Sequence, residues 1–93
     1  MEVNLMGKVL ALMKVMPASV DINLENLKNE LENVMPPEAT LRGVKEEPIA
    51  FGLVALKVSI VLEDVAGGTD AIENAFLELE DVSEVQVEAV SLL

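Results

Sequence analysis

The chain has no cysteine, no histidine, no tryptophan and no tyrosine, and none of its six basic residues lies beyond Lys57. Each absence excludes a kind of chemistry. Without cysteine there is no disulfide and no thiolate. Without histidine as well, Cys/His metal sites, a Ser-His-Asp triad and an imidazole base are all ruled out. No metal and no cofactor is expected. No apolar run reaches the ~18–20 residues that a bilayer-spanning helix needs. The segment Met6 to Met16 is apolar but is interrupted by Lys8 and Lys14, and no small-residue cleavage site follows it. The sequence thus reads as a cytoplasmic protein without a secretion signal or a membrane span.

What remains is apolar and acidic. Apolar residues make up 52% of the 93 residues, enough for one domain to bury a single modest core. The formal net charge is −11, and residues 58–93 carry nine acids and no base. That half would repel phosphate backbones, so direct contact with RNA, DNA or an anionic membrane is not expected. An acidic surface serves solubility, and a basic protein partner is the functional alternative.

The longest strand pattern runs from Val54 to Leu62, where Val54, Leu56, Val58, Ile60 and Leu62 alternate with Ala55, Lys57, Ser59 and Val61. That period of two predicts a central strand with one buried face. An earlier strand is predicted over Lys8 to Met16, apolar on both faces in its middle and ended by Pro17. Leu24, Leu27, Leu31 and Val34 form a helical stripe, with Asp21 or Asn23 as N-cap and Pro36-Pro37 as the stop. Thr40 to Glu47 reads as a shorter edge strand whose spacing around Gly43 predicts a bulge. Ile72, Ala75, Phe76 and Leu79 mark a second helix, with Thr69 as its cap and Asp70 in its first turn. Val85, Val87 and Ala89 alternate with Glu84, Gln86 and Glu88 as a one-sided edge strand.

The order β-α-β-β-α-β, joined by right-handed crossovers, predicts a ferredoxin-like α+β fold. It has a four-stranded antiparallel sheet with both helices on one face. Residues 1–93 are one domain in this reading, with residues 1–5 as a possible N-terminal extension.

Two local features invite functional readings. Gly67-Gly68 lacks a following Gly-Lys-Ser/Thr and stands in an acidic loop, so a phosphate-binding loop is rejected. Pro48-Ile49-Ala50-Phe51-Gly52 reads as a stiff turn before the central strand. One of the two aromatics, Phe51, sits in it. Either Phe51 plugs one end of the core, or it is an apolar knob presented to a partner.

Lys14-Val15-Met16-Pro17, then Glu47-Pro48-Ile49-Ala50-Phe51-Gly52-Leu53-Val54-Ala55-Leu56, then Gly67-Gly68-Thr69-Asp70 follow one another in an order and spacing that resembles archaeal elongation factor 1-beta. The resemblance runs from about Met6 to the C-terminus. It implies a guanine nucleotide exchange factor that promotes GDP release and GTP loading on elongation factor 1-alpha, with no covalent chemistry. It also implies a GTPase contact through Pro48, Ile49, Ala50, Phe51 and Gly52, since a phenylalanine in the matching turn of the eukaryotic relative enters a pocket on the GTPase. A second contact is implied at the C-terminus, at Ser91, Leu92 and Leu93. The eukaryotic relative has a lysine there that disturbs the Mg²⁺ site. The matching residue here is Leu92, which cannot supply that charge.

Two other classes stand beside this one. An acidic ferredoxin-like domain could regulate by binding a small molecule and dimerising through its sheet, which requires a pocket with convergent polar groups. A small enzyme could use paired carboxylates, with Glu46/Glu47 and Glu63/Asp64 as candidates.

Overall fold

The computed structural model describes residues 8–37, 39–63 and 69–92. Among them are four strands and two helices in the expected order: β1 (Lys8–Pro17), α1 (Leu24–Asn33), β2 (Ala39–Ala50), β3 (Leu53–Glu63), α2 (Asp70–Leu77) and β4 (Val82–Leu92). The proposed leader, the Gly67-Gly68 turn, Asp64 and Leu93 lie outside the described residues. The strands form one antiparallel sheet in the order β2-β3-β1-β4. The two most apolar strands are central, because only there are both edges of the strand covered. The fold is ferredoxin-like α+β.

Alternation decides which face each side chain joins. Val9, Ala11, Met13 and Val15 of β1 and Leu56, Val58, Ile60 and Leu62 of β3 are buried on one face. There they meet Leu27 and Leu31 of α1 and Ile72 and Phe76 of α2 in a single cluster. Both helices therefore cover the same face. The other face carries Leu10, Leu12, Lys14, Lys57, Ser59 and Val61, with no layer over it among the described residues. One residue there departs from the expected half-exposure. Ala55 is fully buried, because its short side chain cannot rise past its longer register neighbour Glu47.

The ends of elements follow local chemistry. Asn23 caps α1, its side chain accepting from the Asn26 amide at 3.0 Å, so of the two cap candidates it is Asn23 that serves. Thr69 stands at the N-cap of α2, but its hydroxyl donates to the Glu73 carboxylate at 2.9 Å and makes no bond to the backbone. The expected bulge in β2 is present: the register shifts between Leu41 and Gly43, leaving Arg42 as the extra residue.

Two expectations are corrected. The second strand does not end at Glu47 but continues through Pro48 and Ile49 to Ala50. Pro48 is tolerated because β2 is an edge strand, and a second shift beside Ile49 absorbs it. In β4 a shift opposite Leu12 and Met13 makes Glu88 an extra residue. Val85 and Val87 thus turn toward the helices, whereas Ala89 pairs with Leu12 on the open face.

Candidate functional site

The hairpin between β2 and β3 is closed by two residues only, Phe51 and Gly52, with Ala50 and Leu53 paired across it. Both central residues have positive φ, +54° for Phe51 and +82° for Gly52. That is the pattern of a type I′ turn, whose twist matches that of the flanking strands. Glycine adopts such a backbone freely, but a residue with a Cβ does so at a cost of about 1–2 kcal/mol. Phe51 is the sole non-glycine residue with positive φ among the described residues, and its side chain is 100% exposed. The core-plug reading of Phe51 is thereby overturned. Phe76 is the aromatic in the core, fully buried on α2.

Neighbouring residues extend this apolar tip. Ile49, beside the register shift, is 41% exposed. From the loop between β1 and α1, Val20 is 55% exposed, and its Cγ1 lies 3.9 Å from the point that a Cβ on Gly52 would occupy. Sequence reading saw that loop only as the approach to a helix cap. Nothing in the local pattern ties Val20 to residues some thirty positions later; the sheet does so by bringing the end of β1 beside the start of β3.

Of the site residues expected from the sequence, Pro48, Ile49, Ala50, Phe51 and Gly52 are brought together at this end. Ser91 and Leu92 are not. They pair with Leu10 and Val9 at the opposite end of β1, level with the end of β3. Nine residue steps from Leu53 to Leu62 at ~3.3 Å separate the two ends by about 30 Å.

Electrostatics on the sheet separate one of the two candidate carboxylate pairs, Glu46 and Glu47. Adjacent residues of a strand face opposite sides, so Glu46 and Glu47 do not form a carboxylate pair. Glu46 faces α1 and meets Lys28 at 3.9 Å, while Glu47 lies on the open face 3.7 Å from Lys14. The inner Glu47 oxygen is shielded from solvent without a hydrogen bond, and its charge is answered across space by Lys14 and Lys57. Across the open face Lys45, Lys57 and Lys14 stand in one register row. Lys57 pairs with Glu88 at 3.1 Å, and this hydrogen bond, with the charges of Glu47 and Glu88, raises its pKa above the ordinary lysine value. In the hollow beside Leu12, Lys45, Lys57, Ser59 and Glu88, Lys57 and Glu88 satisfy each other rather than converging on a ligand. Among the described residues no group of three acidic side chains is placed to hold a metal.

At the tip end the charge is of one sign. The turn between α2 and β4 reaches it, with the Ala18 amide donating to the Asp81 carbonyl at 2.8 Å. Nearby, Glu30 of α1 has its pKa raised by partial desolvation, by the Asp81 carboxylate, which also shares a hydrogen bond with it, and by Glu80.

The structure is thus an α+β domain of ferredoxin-like class that leaves one sheet face open and presents an apolar tip at one end. Comparison with known proteins narrows the class. The EF-1 guanine nucleotide exchange domain matches residues 10–93. The elongation factor 1-beta of Methanobrevibacter smithii is 48% identical over 82 residues, which span 88% of this chain and 92% of that one. That of Haloarcula marismortui is 43% identical over 88 residues, 95% of this chain and 100% of the other. A solved structure, the C-terminal domain of the MgtC protein from Mycobacterium tuberculosis, has a TM-score of 0.58 at 9% identity and covers 95% of this chain and 90% of its own; it shares the fold alone. The chain belongs to the EF-1 guanine nucleotide exchange domain family, translation elongation factors whose role is nucleotide exchange.

Proposed function

We propose that this chain promotes GDP release from, and GTP loading on, elongation factor 1-alpha in the cytoplasm, without a chemical reaction of its own and without direct contact with nucleic acid. Residues 1–93 act as one exchange-factor domain, residues 1–5 being an extension. Exchange is a matter of linkage. A factor that binds the nucleotide-free GTPase more tightly than the loaded one weakens the nucleotide by the same factor.

The observation that carries this reading is Phe51, held at a strained positive φ with its whole ring in solvent. Strain kept at an exposed aromatic points to a contact outside the chain. In this reading Pro48, Ile49, Ala50, Phe51 and Gly52 meet the GTPase at one end. Ser91, Leu92 and Leu93 form a second contact at the other. A single partner is then gripped at two places about 30 Å apart along the sheet. With leucine at position 92 the second contact brings no cation to the Mg²⁺ site, so the hairpin end carries most of the loss of nucleotide affinity.

The test is release of fluorescent GDP from the cognate elongation factor 1-alpha, with and without the whole chain. Wild type accelerates release, and Phe51→Ala, folded by circular dichroism, loses roughly tenfold or more of the effect. A folded Phe51→Ala variant with wild-type exchange would remove the wedge from the proposal.

A further inference from the structure

Seven large apolar residues are exposed among the described residues: Leu12, Val20, Ile49, Phe51, Leu77, Val87 and Val90. Three of them, Val20, Ile49 and Phe51, gather at one end although they come from two separate stretches of chain, the loop after β1 and the β2–β3 hairpin, and such clustering marks a contact surface where scattered exposed leucines and valines do not. Val20 is not held out by disorder of its loop. The Ala18 amide is bonded to the Asp81 carbonyl, the Asp21 amide to the Ser19 hydroxyl at 3.2 Å, and Asn23 caps α1. Ile22, two residues on, packs against the core. The loop therefore supplies its apolar anchor with Ile22 and leaves Val20 over Gly52 with no internal use. Positive φ is what asks for glycine at position 52; Val20 stands at ordinary contact distance from it, 3.9 Å from where a Cβ would lie.

The surroundings state what the partner must offer. Residues 17–23, 48–53 and 78–84 contain Asp21, Glu78, Glu80, Asp81 and Glu84 and no base. The nearest lysine on the sheet, Lys14, faces Glu47.

We propose that Val20 and Ile49 join Phe51 in one composite prong that enters an apolar pocket on the GTPase, and that the rim of this pocket is lined by lysine or arginine. The proposal rests on the exchange reading above and adds to it a second loop and the charge of the surface it meets. Phe51 fills the pocket; Val20 and Ile49 seal its mouth and exclude water from it, as the ring around a binding anchor does. The acids of the tip guide the approach and fix the orientation, because rim charges act mainly on association.

The experiment uses the whole chain and nucleotide-free elongation factor 1-alpha, measuring binding by titration and GDP release in parallel. Val20→Ser and Ile49→Ser each weaken binding and raise the concentration needed for half-maximal exchange, by roughly three- to tenfold, with thermal unfolding unchanged. Combined with Phe51→Ala, Val20→Ser loses less than the product of the two single effects, because one prong is already broken. Asp21→Lys slows association and flattens its dependence on salt. If Phe51→Ala cripples exchange while Val20→Ser and Ile49→Ser match wild type, the composite prong is refuted and the exchange reading stands. An unchanged association rate in Asp21→Lys refutes the basic rim. A wild-type chain that neither binds the GTPase nor releases its nucleotide overturns both.

Discussion

Replacing Phe51 by asparagine should make the protein more stable and nearly inactive at once. The ring is 100% exposed, so its removal takes no apolar area out of the core. Its backbone, at φ +54°, costs a residue with a Cβ about 1–2 kcal/mol, and asparagine is among the few that tolerate this region well. Asn-Gly is the pair most favoured in such a turn, and no glycine-like freedom is added to the unfolded chain. The expected gain is about 1 kcal/mol, or ~4–8 °C in Tm for a domain of this size. Against this, loss of an aromatic anchor typically costs ~2 kcal/mol of binding, roughly 30-fold in exchange efficiency. Thermal unfolding followed by circular dichroism reads the first effect, and GDP release from elongation factor 1-alpha reads the second. A lower Tm in Phe51→Asn would mean that the ring is held against the fold after all. A higher Tm with undiminished exchange would mean that the strain serves no contact.

Three further outcomes are expected. Leu56→Ala, at a fully buried position in the strand that meets both neighbours of the sheet, should cost ~2–5 kcal/mol in chemical denaturation, and a variant as stable as wild type would refute the core assignment. Glu30→Gln should stabilise the protein at neutral pH. The raised pKa of Glu30 means that folding favours its protonated form, so its contribution is present below the ordinary carboxylate range and lost as pH rises through the folded value. The advantage of Glu30→Gln should therefore be greatest near pH 7 and vanish on acidification; an advantage that grows with acid would reverse the sign of the argument. Leu92→Lys should leave exchange unchanged or raise it, since it restores a cation that the eukaryotic relative uses, and a clear fall in GDP release would show that leucine itself makes the contact.

Much of the fold was written in local order. Alternation over Val54 to Leu62 set one face of β3 because a strand's side chains must alternate, and the Leu24–Val34 stripe set one face of α1 because a helix turns every 3.6 residues. The proline pair beyond Asn33 and the cap at Asn23 act within a few residues, so they too can be read along the chain. The missing histidines and cysteines excluded whole mechanisms before any fold was considered.

What lies in pairing between distant strands could not be read that way. The shift that sends Ala89 to the open face depends on how β4 meets Leu12 and Met13 of β1, some seventy-five residues earlier. Whether Glu46 and Glu47 act together was decided by the pleat of β2 once its register on β3 was set. The end of β2 at Ala50 compressed a five-residue turn to two, and only then did Phe51 have to take a positive φ and point its ring into solvent. Composition left both a plug and a prong open for Phe51 and favoured the plug, because an aromatic ring favours burial and its own core is the nearest place to find it. The tertiary structure decided between them by filling the core with Phe76 and by setting Val20 beside Gly52, a neighbour that no local pattern specifies.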